Sequence, residues 1–186
     1  MANGGQSRWI AWIGAGAAVV GAFVALYGVL HHPDTSVADY QRQVRATCGR
    51  VHALLTADHS GEILGFGADG GFPTGPGDLF RVNKGALLNV LRGNLQGAEE
   101  EFELLNAKQV PKSLATRKER AVAAQRAWSR AFRETIGTVD QKASEGMTLT
   151  RLNAILGGGA GSTTITSARL NAAMTSLAGD DCRVTA

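Results

Sequence analysis

Asp58, His59 and Ser60 stand side by side and supply the residue types of an orienter, a base and a nucleophile. Adjacent side chains cannot form the relayed geometry that such catalysis needs, so the trio predicts no hydrolase. His31, His32 and Asp34 offer metal-ligand types, but three ligands in one short turn close no coordination sphere. Gly65, Gly67 and Gly70 spell a GxGxxG, yet Pro73 and Pro76 follow where a dinucleotide-binding helix should start. Gly157 to Gly161, followed by Ser162 and Thr163, has the look of a phosphate loop without its lysine, and reads as a linker. The acidic run Glu99, Glu100, Glu101 and Glu103 reads as solvated helix surface, not a cation site. No catalytic, cofactor or metal set emerges, and we expect neither enzyme activity nor a cofactor.

Two cysteines remain, Cys48 early in the chain and Cys182 near its end. Their separation excludes a CxxC redox or zinc motif. An isolated pair bracketing a domain suits a disulfide in an oxidising compartment. Closing a loop of more than about 100 residues is worth roughly 4 to 5 kcal/mol in the chain-entropy model.

The elements that must position these residues are helical. Aromatics make up only 6% of the chain, and β-branched residues are scattered without alternation, so no strand is expected. Ser36 caps a first helix with Asp39 three residues on, and Val37, Tyr40, Val44, Cys48, Val51 and Leu55 form its apolar stripe. A glycine-rich loop spans about 57–80, with Phe66, Phe72 and Phe80 tucked against the bundle. A second helix from about Val82 to Lys108 presents Leu87, Leu88, Leu91, Leu95, Ala98, Phe102 and Leu105. After Pro111 a third, from Lys112 to Lys142, presents Leu114, Ala121, Trp128, Phe132, Ile136 and Val139. Lys112, Arg126, Arg130 and Arg133 lie opposite that stripe as a candidate contact surface. A short helix around 149–156, a GGGAGSTT linker and a last helix around 167–178 closed by Gly179 complete the reading. The expected class is all-α: an antiparallel bundle of about four main helices.

Ahead of the bundle, residues 9–30 run WIAWIGAGAAVVGAFVALYGVL, free of charge. At about 1.5 Å per residue such a helix spans a hydrocarbon core of roughly 30 Å. Trp9, Trp12 and Tyr27 stand near its ends, and Pro33 stops it. A cleaved signal peptide has a shorter apolar core, so retention as an anchor is the expectation. Small residues such as Ala18, Gly21, Ala22 and Ala25 suit close packing of two such helices in a homodimer. Charges flanking the segment divide on orientation: Arg8 and the amino terminus favour an inside N-terminus, while Arg42, Arg45 and Arg50 oppose it. The cysteine pair leans toward an external domain. The expected plan is a cytoplasmic tail at 1–8, a transmembrane helix at 9–30, a linker at 31–36 and an extracytoplasmic bundle at 37–186.

A short polar tail, one membrane helix, an Ala- and Arg-rich helical domain and the terminal Gly179-Asp180-Asp181-Cys182 together resemble membrane-anchored extracytoplasmic proteins of high-GC actinobacteria. The resemblance is architectural and implies only a place in the cell envelope. With 19 basic against 16 acidic residues the charge imbalance is mild, and the basic face lacks aromatic interleaving, so no nucleic-acid partner is expected. The functional expectation is a binding or scaffolding module that uses Arg126, Arg130 and Arg133 or the glycine-rich loop toward an envelope protein or wall polymer. The rival expectation is a small-ligand sensor or carrier with a pocket beneath the loop.

Overall fold

The computed structural model describes residues 36–66, 80–179 and 181–185. The predicted membrane segment, the His31, His32 and Asp34 turn, Gly67, Gly70 and Phe72 lie outside the described residues. Among the described residues no helix is long and apolar enough to cross a membrane.

Four long helices dominate the described residues: α1 (Val37–Leu55), α3 (Lys84–Asn106), α4 (Ala115–Lys142) and α5 (Leu149–Ala178). A four-residue helix, α2 (Ser60–Ile63), follows α1, and a 3₁₀ turn (Lys112–Leu114) leads into α4. Among the described residues three short strands complete the order: β1 (Leu64–Phe66), β2 (Phe80–Val82) and β3 (Met147–Thr148). The helical bundle expected from periodicity is present, and its neighbours run antiparallel. Arg50 meets Glu101 and Leu54 meets Gly97 between α1 and α3. Gln125 meets Met174, and Thr135 meets Thr163, between α4 and α5.

The apolar stripes close on one another as a single core. Tyr40, Val44, Cys48 and Val51 of α1 pack with Leu88, Leu95, Ala98, Phe102 and Leu105 of α3. Ala121, Trp128, Ile136 and Val139 come from α4, and Leu152, Leu170, Met174 and Leu177 from α5. Trp128 is the largest fully buried side chain, edge-on to Phe102 at 6.1 Å and tilted against Phe132 at 5.2 Å. Such pairs add about 1 kcal/mol beyond area burial. Val37, placed on the stripe by spacing, is exposed instead, being the first helical residue and one turn short of the core.

Two expectations are corrected. First, the chain is not purely helical: β1, β2 and β3 form an antiparallel sheet in that order, pairing Leu64 with Val82, Phe66 with Phe80, and Val82 with Met147. Strands of two or three residues carry no alternation to read, and their hydrogen bonds join segments far apart in the chain. Val82 and Met147 are buried, so the sheet clips the start of α3 to the start of α5. The side chain of Asn83 caps α3 by accepting from Ala86 N, and Thr148 caps α5 by accepting from Arg151 N.

Second, the segment read as a flexible glycine linker is the interior of α5, which is continuous for 30 residues. Each glycine costs a helix roughly 1 kcal/mol against alanine. That cost is offset by the cap at Thr148, by Leu152 on one side and by Leu170, Met174 and Leu177 on the other, all buried on the core. A phosphate loop is excluded here because the backbone is helical. Gly179 does close the helix as expected, at φ 74°, with its N–H donating to Thr175 O. A side chain there would also strike Gln41 of α1.

Cys48 and Cys182 are joined, with Cα atoms 5.8 Å apart across 134 residues. Asn171 holds the same tail: its Oδ1 accepts from Val184 N and Thr185 N, and its Nδ2 donates to Thr185 O. Cys182 N donates to Thr175 Oγ1, and Arg45 donates across to Ala178 O. Cys182 and Val184 are thereby buried in the core.

Candidate functional site: the groove between α3 and α4

Most residues singled out for chemistry have structural partners. Asp58 accepts from Ser60 N, and His59 Nδ1 lies 3.5 Å from Glu62 Oε1, so the Asp-His-Ser trio builds the start of α2. The hydrogen bonds from Ser60 hold the Asp58 carboxyl below its ordinary range. Gly65 sits in the antiparallel strand β1, opposite Arg81, which is the wrong setting for a dinucleotide turn. Among the described residues no group of three or more His, Cys, Asp or Glu is placed to hold a metal ion.

The acidic run divides along the surface of α3. Glu101 takes two contacts from Arg50 on α1, at 2.7 and 2.8 Å, and this bond raises the guanidinium pKa further. Glu100 accepts from Gln96 on its own helix. Glu99 reaches across to Arg133 of α4 at 2.5 Å. Further along the same seam, Asp140 takes Arg92 at 3.1 Å and Lys84 at 3.5 Å. Among the described residues Glu103 has no ion-pair partner, and neither do Arg126 and Arg130.

These unpaired groups share one place. The groove between α3 and α4 encloses about 560 Å³ and is bounded on one wall by Glu99, Glu103 and Asn106, and on the other by Arg126, Arg130 and Arg133. Its floor is Phe102, Val122, Gln125 and Ser129. The register across the groove is fixed at both ends, by Asn106 Nδ2 donating to Gln125 Oε1 at 2.9 Å and by Arg133 donating to Glu99. Counting inward along two antiparallel helices brings Glu103 level with Ser129, with Arg126 and Arg130 on either side of it.

Periodicity placed the three arginines together, and the structure keeps them on one strip of α4. It alters their setting: they border α3 across a groove and do not stand on a free outer face. Arg133 is already committed to Glu99, while Arg126 and Arg130 are exposed and open. Lys112 belongs to the 3₁₀ turn and lies outside the groove. Gln125 and Ser129 were not singled out by sequence, and Glu103 was read only as part of a solvated acidic run. The available signal was Gln125, a polar residue inside the apolar sector of Ala121, Trp128 and Phe132.

Near the Asn106 end the last carbonyls of α3 are collected by Lys118, whose Nζ donates to Asn106 O at 2.7 Å and Lys108 O at 3.0 Å. Burial lowers the pKa of this ammonium. This end is therefore occupied, and the open charge lies in the middle of the groove. No family model, curated protein or solved structure matches the chain.

Proposed function

We propose that this chain is a binding module held at a cell membrane by residues 9–30, with the helical domain on the extracytoplasmic side and the α3–α4 groove as its contact surface. The observation that carries the reading is the charge pattern of the seam between these helices. Arg92, Lys84 and Arg133 are each matched by a carboxylate, whereas Arg126 and Arg130 are left open beside a cavity. An exposed ion pair with Glu103 would add only about 0 to 1 kcal/mol to stability, so Arg126 and Arg130 stay available to a partner at little cost to the fold.

The extracytoplasmic placement is supported by the Cys48–Cys182 bond, since such bonds persist in oxidising compartments, and by the apolar run at 9–30. The envelope architecture that the sequence resembles agrees with it. An envelope protein or wall polymer is the partner class, and the lipid bilayer is the anchor's environment.

Two measurements test this. Intact cells are treated with a membrane-impermeant thiol reagent with and without prior reduction, and Cys48 and Cys182 are read by mass spectrometry. Labelling only after reduction supports the reading; thiols that react only after lysis overturn the placement. Photo-crosslinking from position 122 then compares the native chain with an Arg126→Ala/Arg130→Ala variant. An unchanged set of captured partners overturns the contact surface.

A further inference from the structure

The two walls of the α3–α4 groove carry opposite signs, and this restricts what fits between them. A ligand carrying only negative charge would satisfy Arg126 and Arg130 but would face the Glu103 carboxylate at the same level. A ligand carrying only positive charge would meet three arginines. From this arrangement we infer that the groove recognises a short peptide or peptide-like zwitterion, its carboxylate on Arg126 and Arg130 and its amine on Glu103. The inference deepens the proposed binding role and rests on the groove being the contact surface.

The site is more than a pair of surface charges. Ser129 lies on the groove floor, level with Glu103, and is only 6% exposed. Its hydroxyl bonds to no other group among the described residues and keeps some contact with solvent, so it is free to bond a ligand. Gln125, 4% exposed, receives a bond from Asn106 and spends one amide hydrogen on Met174 Sδ at 3.4 Å. A thioether is a weak acceptor, and the second amide hydrogen remains for a ligand carbonyl. The hydroxyl and the amide are suited to a peptide's own N–H and C=O. Phe102 and Val122 supply apolar surface for a small side chain.

Geometry suits the carboxylate end equally. Arg126 and Arg130 are four residues apart on one helix face, about 5 to 6 Å between their Cβ atoms, so two guanidinium forks can converge on one carboxylate. The volume of about 560 Å³ accommodates a few residues of extended peptide. Arg133 is held back by Glu99 and marks the far limit of the open stretch.

Titration calorimetry on the full chain in detergent micelles tests the inference with four probes: trialanine, N-acetyl-trialanine, trialanine amide and inorganic phosphate. Trialanine is expected to bind at least about tenfold more tightly than either blocked form, the loss expected for one charge-assisted contact. Arg126→Ala/Arg130→Ala should weaken trialanine by about tenfold or more and leave the amide unchanged. Glu103→Gln should weaken trialanine and leave the acetylated peptide unchanged, a pairing that general loss of structure would not reproduce.

Phosphate binding as tightly as trialanine, with acetylation of no consequence, would overturn the inference in favour of a simple anion site. No heat from trialanine up to tens of millimolar would overturn it outright. Because this experiment needs no cell and no orientation, its failure is distinguishable from failure of the membrane placement.

Discussion

The end of the bundle where α1, α5 and the C-terminal tail meet differs in kind from the seam between α3 and α4. At the first, a covalent bond, four contacts from Asn171 and a buried Val184 tie the tail to the bundle, and the buried Tyr40 hydroxyl is left without a partner. At the second, helices of similar length meet through exposed ion pairs, and the middle of the seam holds two open arginines, an open glutamate and an unbonded serine. Exposed ion pairs contribute about 0 to 1 kcal/mol each. The contrast teaches that stability is concentrated where the C-terminal tail is tied to α1, which leaves the α3–α4 seam free to carry charges that folding does not require.

Substitutions can break this contrast. Removing the staple with Cys48→Ser/Cys182→Ser should have the largest effect, roughly 3 to 5 kcal/mol, seen as a fall in Tm of about 10 °C in thermal denaturation followed by circular dichroism. Reductant should lower the native chain's Tm by a similar amount and leave the variant unchanged. A Tm shift below about 2 °C would mean that the tail is held by its packing alone. Next comes Asn171→Ala, which leaves Val184 N and Thr185 N without their acceptor and should cost about 2 kcal/mol in denaturant titration.

A smaller effect of opposite sign is expected at Tyr40. Its hydroxyl is buried without a hydrogen-bond partner, and burial raises the phenol pKa above the ordinary value of 10.0. Because the folded chain holds this proton more tightly than the unfolded one, stability is unaffected at neutral pH and falls as pH rises past 10. Tyr40→Phe should gain about 1 kcal/mol at pH 7 and remove that part of the alkaline loss, measured by urea unfolding at pH 7 and pH 11. Smallest of all, Arg126→Ala/Arg130→Ala should alter stability by less than about 0.5 kcal/mol while weakening trialanine binding about tenfold or more. A large loss of stability from this double variant would show that the groove charges belong to the fold, and the distinction between the two regions would dissolve.

How far each region was legible in the sequence follows from the range of the forces involved. Helical stripes such as Leu88, Leu95, Ala98, Phe102 and Leu105 are local patterns, and each lies where the 3.6-residue period put it. The disulfide was legible because only two cysteines exist to pair. The strands were not, since Val82 and Met147 meet only once the bundle has formed. The glycine run in α5 misled for the same reason: intrinsic propensity favours a break, while packing on both sides of the run favours a helix. The groove was half legible. Its basic wall is a helical repeat on one element, but its acidic wall comes from another helix, and only the register set by Asn106–Gln125 and Glu99–Arg133 brings Glu103 opposite the arginines.

The disulfide also decides how the domain answers to a pull. Tension entering through Val37 and leaving through Val184 runs down three turns of α1 to Cys48, crosses the sulfur bridge to Cys182 and continues into the tail. Residues 49–181 lie on a closed side branch that bears none of this load. A chain tethered at one end and tugged at the other would thus keep α3, α4 and the groove between them folded under forces that would unravel the same bundle without its bridge.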